Sequence, residues 1–143
     1  MWGITVANQP HHAISENHYS LALTPTLMRD FIKLDLGPTL KSAGYGIDKL
    51  KLMIYDDVRK YIKNYTDIIL VDSEAVKYVS GVAFHWYNNE DSQLQILDSI
   101  HYEYPEYFLL STEACKGPME EEKVSLGNWT RAENYTHDIL TVS

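Results

Sequence analysis

A single cysteine, Cys115, in 143 residues leaves no means of forming an intrachain disulfide or a Cys-rich zinc site. Basic residues are few: 12 Lys and Arg stand against 20 Asp and Glu, a formal charge of −8. With no Lys/Arg cluster to face a phosphate backbone, no nucleic-acid partner is expected. No apolar run approaches the roughly 20 residues that a membrane span requires. The first ten residues, Met1 to Pro10, lack the basic and apolar regions of a signal peptide. The chain is too short for a complete eight-stranded α/β barrel of about 250 residues and suits one domain.

What is present is a core. Hydrophobic residues make up 45% and charged residues 22%, a globular balance that excludes wholesale disorder, and there are 11 Tyr and 3 Trp. Apolar runs rich in β-branched and aromatic residues at Trp2–Val6, Leu50–Tyr55, Val82–Tyr87 and Tyr107–Leu110 read as buried strands. Between them, Thr24 and Pro25 open a helix with Leu27, Phe31 and Ile32 on one face, expected to break at Gly37-Pro38. Asp72 is placed to cap a helix over Ser73–Val79. A third helix is expected over Ser92–Tyr104 and a last one over Asn128–Val142. Strand alternating with helix four times predicts βα units in sequential order around a parallel sheet. Glu120-Glu121-Glu122 reads as a solvated loop.

Polar groups gather where these strands end: Asn8-Gln9-Pro10, Asp56-Asp57, His85-Trp86-Tyr87 and Ser111-Thr112-Glu113. In a βα barrel the C-terminal strand ends converge on one face, where active sites form. Singly, each has a plainer reading. Asp56 or Asp57 could cap the following helix or pair with Arg59, His85 could be a packed, hydrogen-bonded histidine, and Glu113 could charge the entry of a loop. His11-His12 has no carboxylate at metal-ligand spacing and is not read as a metal site.

Taken together, these residues bring up a family. The segment Trp2-Gly3-Ile4-Thr5-Val6-Ala7-Asn8-Gln9-Pro10 resembles the W-G-x-T-V-x-N-E-P segment of glucosylceramidases, the lysosomal acid β-glucosidases of glycoside hydrolase family thirty. Further matches in order and spacing are Asp35-Leu36-Gly37-Pro38-Thr39-Leu40, Asp56-Asp57-x-Arg59, His85-Trp86-Tyr87, Ser111-Thr112-Glu113-Ala114-Cys115 and Leu126-Gly127-x-Trp129-x-Arg131. The resemblance implies an α/β fold, a partial (β/α)8 TIM barrel of about four βα units, with residues 1–143 a single incomplete catalytic domain covering strands four to seven. The family's first three strands, last strand and accessory β-domain would lie outside it.

The same resemblance makes Glu113 the nucleophile and puts Gln9 where the family carries its acid/base glutamate. Asn8 would meet the sugar 2-hydroxyl, His85, Trp86 and Tyr87 would line the glucose site, and Asp57 and Arg59 would belong to the supporting polar shell. Retaining glycoside hydrolysis needs two carboxyls about 5–5.5 Å apart, one to attack the anomeric carbon and one to protonate the departing oxygen and later deprotonate water. An amide has no proton to transfer at ordinary pH. Gln9 can be read as a natural inactivation, a deliberate change or a sequence error. Two functions follow: a β-glucosidase acting on glucosylceramide or another β-glucoside, or a truncated, catalytically inactive chain or pseudoenzyme. Neither calls for a cofactor or a metal.

A full-length parent is expected in the lysosome or outside the cell, with room for peripheral contact with a lipid membrane. Sequons at Asn64, Asn128 and Asn134 would then be glycan acceptors. Expressed alone, the segment would expose open sheet edges and is expected to self-associate.

Overall fold

A computed structural model describes residues 1–15, 20–87, 93–116 and 124–142. Its centre is one sheet of four strands in sequential order, β1 (Gly3–Thr5), β2 (Lys51–Val58), β3 (Val79–His85) and β4 (Phe108–Glu113), each parallel to its neighbour. Helices α1 (Pro10–Ser15), α2 (Pro25–Phe31), α3 (Gly37–Ser42), α4 (Ile62–Ile69), α5 (Leu94–Glu103) and α6 (Trp129–Val142) alternate with the strands. Four βα units are therefore present as a section of a (β/α) barrel, although the helix of the second, α4, lies where no helix was expected.

Two strands run further toward their polar ends than the apolar runs suggest, while β1 stops at Thr5 and β3 at His85, short of Val6 and Tyr87. β2 continues past Tyr55 through a register shift at Asp56, and β4 continues past Leu110 to Glu113. Val79 opens β3 instead of closing a helix. The helix expected over Ser73–Val79 is absent: residues 73–78 form successive turns, although Asp72 Oδ1 still accepts the amides of Glu74 and Ala75 at 3.0 Å as a cap would.

The first long helix also departs from expectation. Thr24 caps α2 through Leu27 N–H at 3.2 Å, with Pro25 at its first position. The buried face, however, is Met28 and Ile32, four apart, while Leu27 is exposed. The chain does not break at Gly37-Pro38. A π-helical stretch over Ile32–Leu36, closed by Gly37 N–H on Ile32 O, passes directly into α3. The wider turn accommodates a proline that a regular helix interior would reject. Gly37 is required by packing: a Cβ there would lie 2.3 Å from Tyr78 Cγ.

The main core lies between one face of the sheet and the helices. It joins Leu52, Ile54, Val82 and Phe84 to Met28, Ile32, Ile62, Tyr65, Ile69, Leu97 and Ile100. The sheet's other face is concave. β1 and β4 are its outermost strands, yet Trp2 meets Phe108 at 5.4 Å between ring centroids. Gly81 makes room for that aromatic layer, since a Cβ there would meet the Phe108 ring at 2.6 Å. Asn128 Oδ1 caps α6 through Arg131 N–H at 3.2 Å. Glu120-Glu121-Glu122 and Ser92 lie outside the described residues. Among the described residues no helix is long and apolar enough to cross a membrane.

Candidate active site

Because the strands are parallel and sequential, Gln9, Asp56, His85, Tyr87 and Glu113 all fall at the same, C-terminal end of the sheet. Glu113 ends β4 with a side chain 42% accessible, open enough to meet a ligand. Tyr87 donates its O–H to Glu113 Oε1 at 2.7 Å and lies 3.0 Å from Cys115 Sγ. His85, 1% accessible, sits behind them, with Nε2 3.1 Å from Asp56 Oδ1 and 3.5 Å from Glu113 Oε2. Burial pushes the Tyr87 phenol well above its ordinary pKa, and its hydrogen bonds to Cys115 and Glu113 push the same way. The phenol therefore stays protonated and remains a donor to the carboxylate.

Across the concave face, Gln9 follows β1 with φ +49° in the left-handed region, its N–H on Asp56 O at 2.9 Å. Asn8 beside it is exposed, and its carbonyl accepts the Ser20 hydroxyl.

The two aspartates divide their work. Asp57 is fully buried and turned to α1, where Oδ2 accepts the amides of His11 and His12 at 3.0 and 3.1 Å and Oδ1 pairs with His12 Nδ1 at 2.6 Å. It thus caps the helix that follows Gln9, not the one that follows itself. Asp56 turns inward, accepting Thr5 Oγ1 at 2.6 Å and Thr112 Oγ1 at 2.5 Å as well as His85. Neither pairs with Arg59. That side chain, 1% accessible, reaches Asp138 of α6 at 2.8 Å and covers the Phe84 ring, apart from Glu113 and its partners.

Trp86 is nearly buried, stacked on Tyr135 at 4.7 Å with Nε1 donating to Cys115 O at 3.2 Å. It braces the segment after Glu113. Asp56, Thr5 and Thr112 are the site residues that sequence reasoning left unassigned. The signal was the Asp-Asp pair at a strand end, since aspartate tolerates the left-handed backbone better than most residues.

The whole chain but its last residue, 1–142, matches the glycosyl hydrolase family 30 TIM-barrel domain. The chain is 35% identical over 144 residues to the mouse protein named lysosomal acid glucosylceramidase, covering 98% of this chain and 27% of that one. Among solved structures, SrfJ from Salmonella typhimurium superposes with a TM-score of 0.79 at 22% identity, covering 99% of this chain and 30% of that one, a likeness of fold. A structure titled endo-beta1,6-glucanase BT3312 superposes with a TM-score of 0.67 at 33% identity, covering 82% of this chain and 25% of that one. The chain spans about 27% of the length of the curated relatives it matches. Family match, parallel βα units and polar strand ends agree, and the chain belongs to glycosyl hydrolase family 30 as part of its TIM-barrel domain.

Proposed function

We propose that this chain is the section of a retaining β-glucosidase barrel, of the glucosylceramidase type, that holds both reacting positions. The observation that carries the reading is the setting of Glu113: an accessible carboxylate at a strand end, with one oxygen on a protonated phenol and the other beside an imidazole. In this reading a Glu113 oxygen bonds to the anomeric carbon as the bond to the leaving oxygen breaks. The leaving oxygen takes its proton from a carboxylic acid at position 9, or from solvent where that residue is Gln9, and water, giving up its own proton the same way, later displaces the carboxylate. Asn8 meets the sugar 2-hydroxyl, and His85, Trp86 and Tyr87 shape the glucose site.

Gln9 supports a second reading, in which the chain binds β-glucosides without turning them over. Its amide neither protonates the leaving oxygen nor activates water, and losing that help typically costs about 10²–10⁴-fold in rate. Glucosylceramide is the favoured substrate because the mouse relative carries that name, with a lysosomal parent following from the same name. A β-1,6-linked glucan is the competing substrate class, from the solved structure at 33% identity.

Grafting residues 1–142 into the mouse relative in place of its matching segment, with Gln9→Glu, tests the reading. Glucosylceramide should be hydrolysed with retention and a β-1,6-glucan oligosaccharide left intact. The opposite preference would refute the substrate, and inversion would refute the roles of the two residues.

A further inference from the structure

One residue grips both sides of the gap between Gln9 and Glu113. The Asp56 carbonyl accepts the Gln9 amide at 2.9 Å. Its carboxylate accepts Thr5 of β1 on Oδ2 at 2.6 Å, and Thr112 of β4 and His85 of β3 on Oδ1 at 2.5 and 3.1 Å. Thr5 lies four residues before Gln9, and Thr112 adjoins Glu113. β1 and β4 are not neighbours in the sheet, so at this end the Asp56 carboxylate joins them across the concave face. The grip depends on an unusual backbone. Asp56 has φ +74°, and the β2–β3 register passes from Tyr55 to Asp57 without it, a bulge that re-aims the side chain.

We propose that Asp56 is a positioning residue that sets the separation between the acid/base position and the nucleophile. In glycosidases that separation selects the chemistry, about 5–5.5 Å for retention and about 6.5–9.5 Å for inversion. A shift of roughly 1 Å is therefore consequential. As a carboxylate Asp56 accepts all three side-chain partners at once, His85 in its Nε2–H form. Burial acts to raise its pKa, but the hydrogen bonds from His85, Thr112 and Thr5 outweigh that and hold it below the usual range. The importance of the gap rests on the function proposed above, whereas the grip itself can be tested without any glycoside.

The experiment compares the grafted barrel, with Gln9 retained, and its Asp56→Gly variant. Glycine tolerates the left-handed backbone and keeps the carbonyl that holds Gln9 but removes both acceptor oxygens, whereas asparagine would keep the grip, its oxygen accepting Thr112 and His85 and its amide donating to the Thr5 hydroxyl. In crystal structures of the two, the Gln9 Cδ to Glu113 Cδ separation should change by about 1 Å or more. A slowly exchanging His85 Nε2 proton, resolved by NMR in the parent, should be lost from the variant.

Thr5→Val with Thr112→Val should reproduce the change in separation, whereas Thr5→Ser with Thr112→Ser should preserve the parent spacing. The valine pair decides the matter if Asp56→Gly does not fold. A folded Asp56→Gly or valine pair with the parent separation, or a His85 proton indifferent to Asp56, would overturn the proposal. Loss of glucosidase activity elsewhere with these distances intact would count against the function reading and leave the grip standing.

Discussion

Replacing Gln9 by Glu isolates the proton-transfer step. The two side chains have the same shape, and both must occupy the same left-handed backbone position, with the amide held by Asp56 O. Packing and entry into the site should therefore be nearly unchanged. What changes is the supply of a transferable proton, worth about 10²–10⁴-fold, or roughly 3–5 kcal/mol of barrier at 1.36 kcal/mol per decade. The gain should depend on the leaving group. A ceramide-type alkoxide needs a proton to depart, so kcat/KM for glucosylceramide should rise by the full factor. A dinitrophenolate leaves unaided, so kcat/KM for its glucoside should rise little while kcat rises, because only the water-attack step lacked a base. In the grafted barrel, steady-state kinetics on both substrates, with a stopped-flow search for a burst, distinguish these cases. Equal gains on both substrates, or no gain on either, would refute the assignment of position 9.

Three further outcomes follow from the packing. Gly81→Ala should destabilise the chain by about 1–3 kcal/mol by urea titration, because the new Cβ meets both the Phe108 ring and its carbonyl within 2.7 Å. Asp138→Ala should cost about 3–5 kcal/mol, since it leaves the buried Arg59 charge without this partner, while Arg59→Met with Asp138→Leu should cost much less. Asp72 is held at a pKa of about 2 by the Ala75 amide and Lys33. A depressed carboxylate stabilises the fold fully above its unfolded pKa of about 3.9 and less as pH falls toward 2. Asp72→Asn should therefore flatten the acid limb of the stability profile between those values.

The parts legible in the sequence are those governed by local pattern. Apolar runs between polar stretches locate all four strands, Thr24-Pro25 locates the start of α2, and the segment expected as a helix over Asn128–Val142 contains α6. The polar residues ending each run identify the end of the sheet at which Gln9, His85, Tyr87 and Glu113 lie. What was not legible depends on tertiary neighbours. Gly37-Pro38 looks like a stop, yet the glycine is there for the Tyr78 ring and a π turn carries the helix through. A strand read by alternation gives no sign of a bulge, so the inward turn of Asp56 and the outward turn of Asp57 could not be told apart. Arg59 could be grouped with the aspartates by proximity in sequence, but its partner is 79 residues away.

The central claim is that Glu113 attacks the sugar, and the grafted barrel with Gln9 retained tests it most directly. Incubated with 2,4-dinitrophenyl β-glucoside, this form should carry out the first step and stall at the second, accumulating a glucosyl-enzyme in which peptide mass spectrometry places the sugar on Glu113. Glu113→Gln should form no adduct at all. An adduct on Asp56, Asp57 or any other residue, or one that persists in Glu113→Gln, would contradict the account.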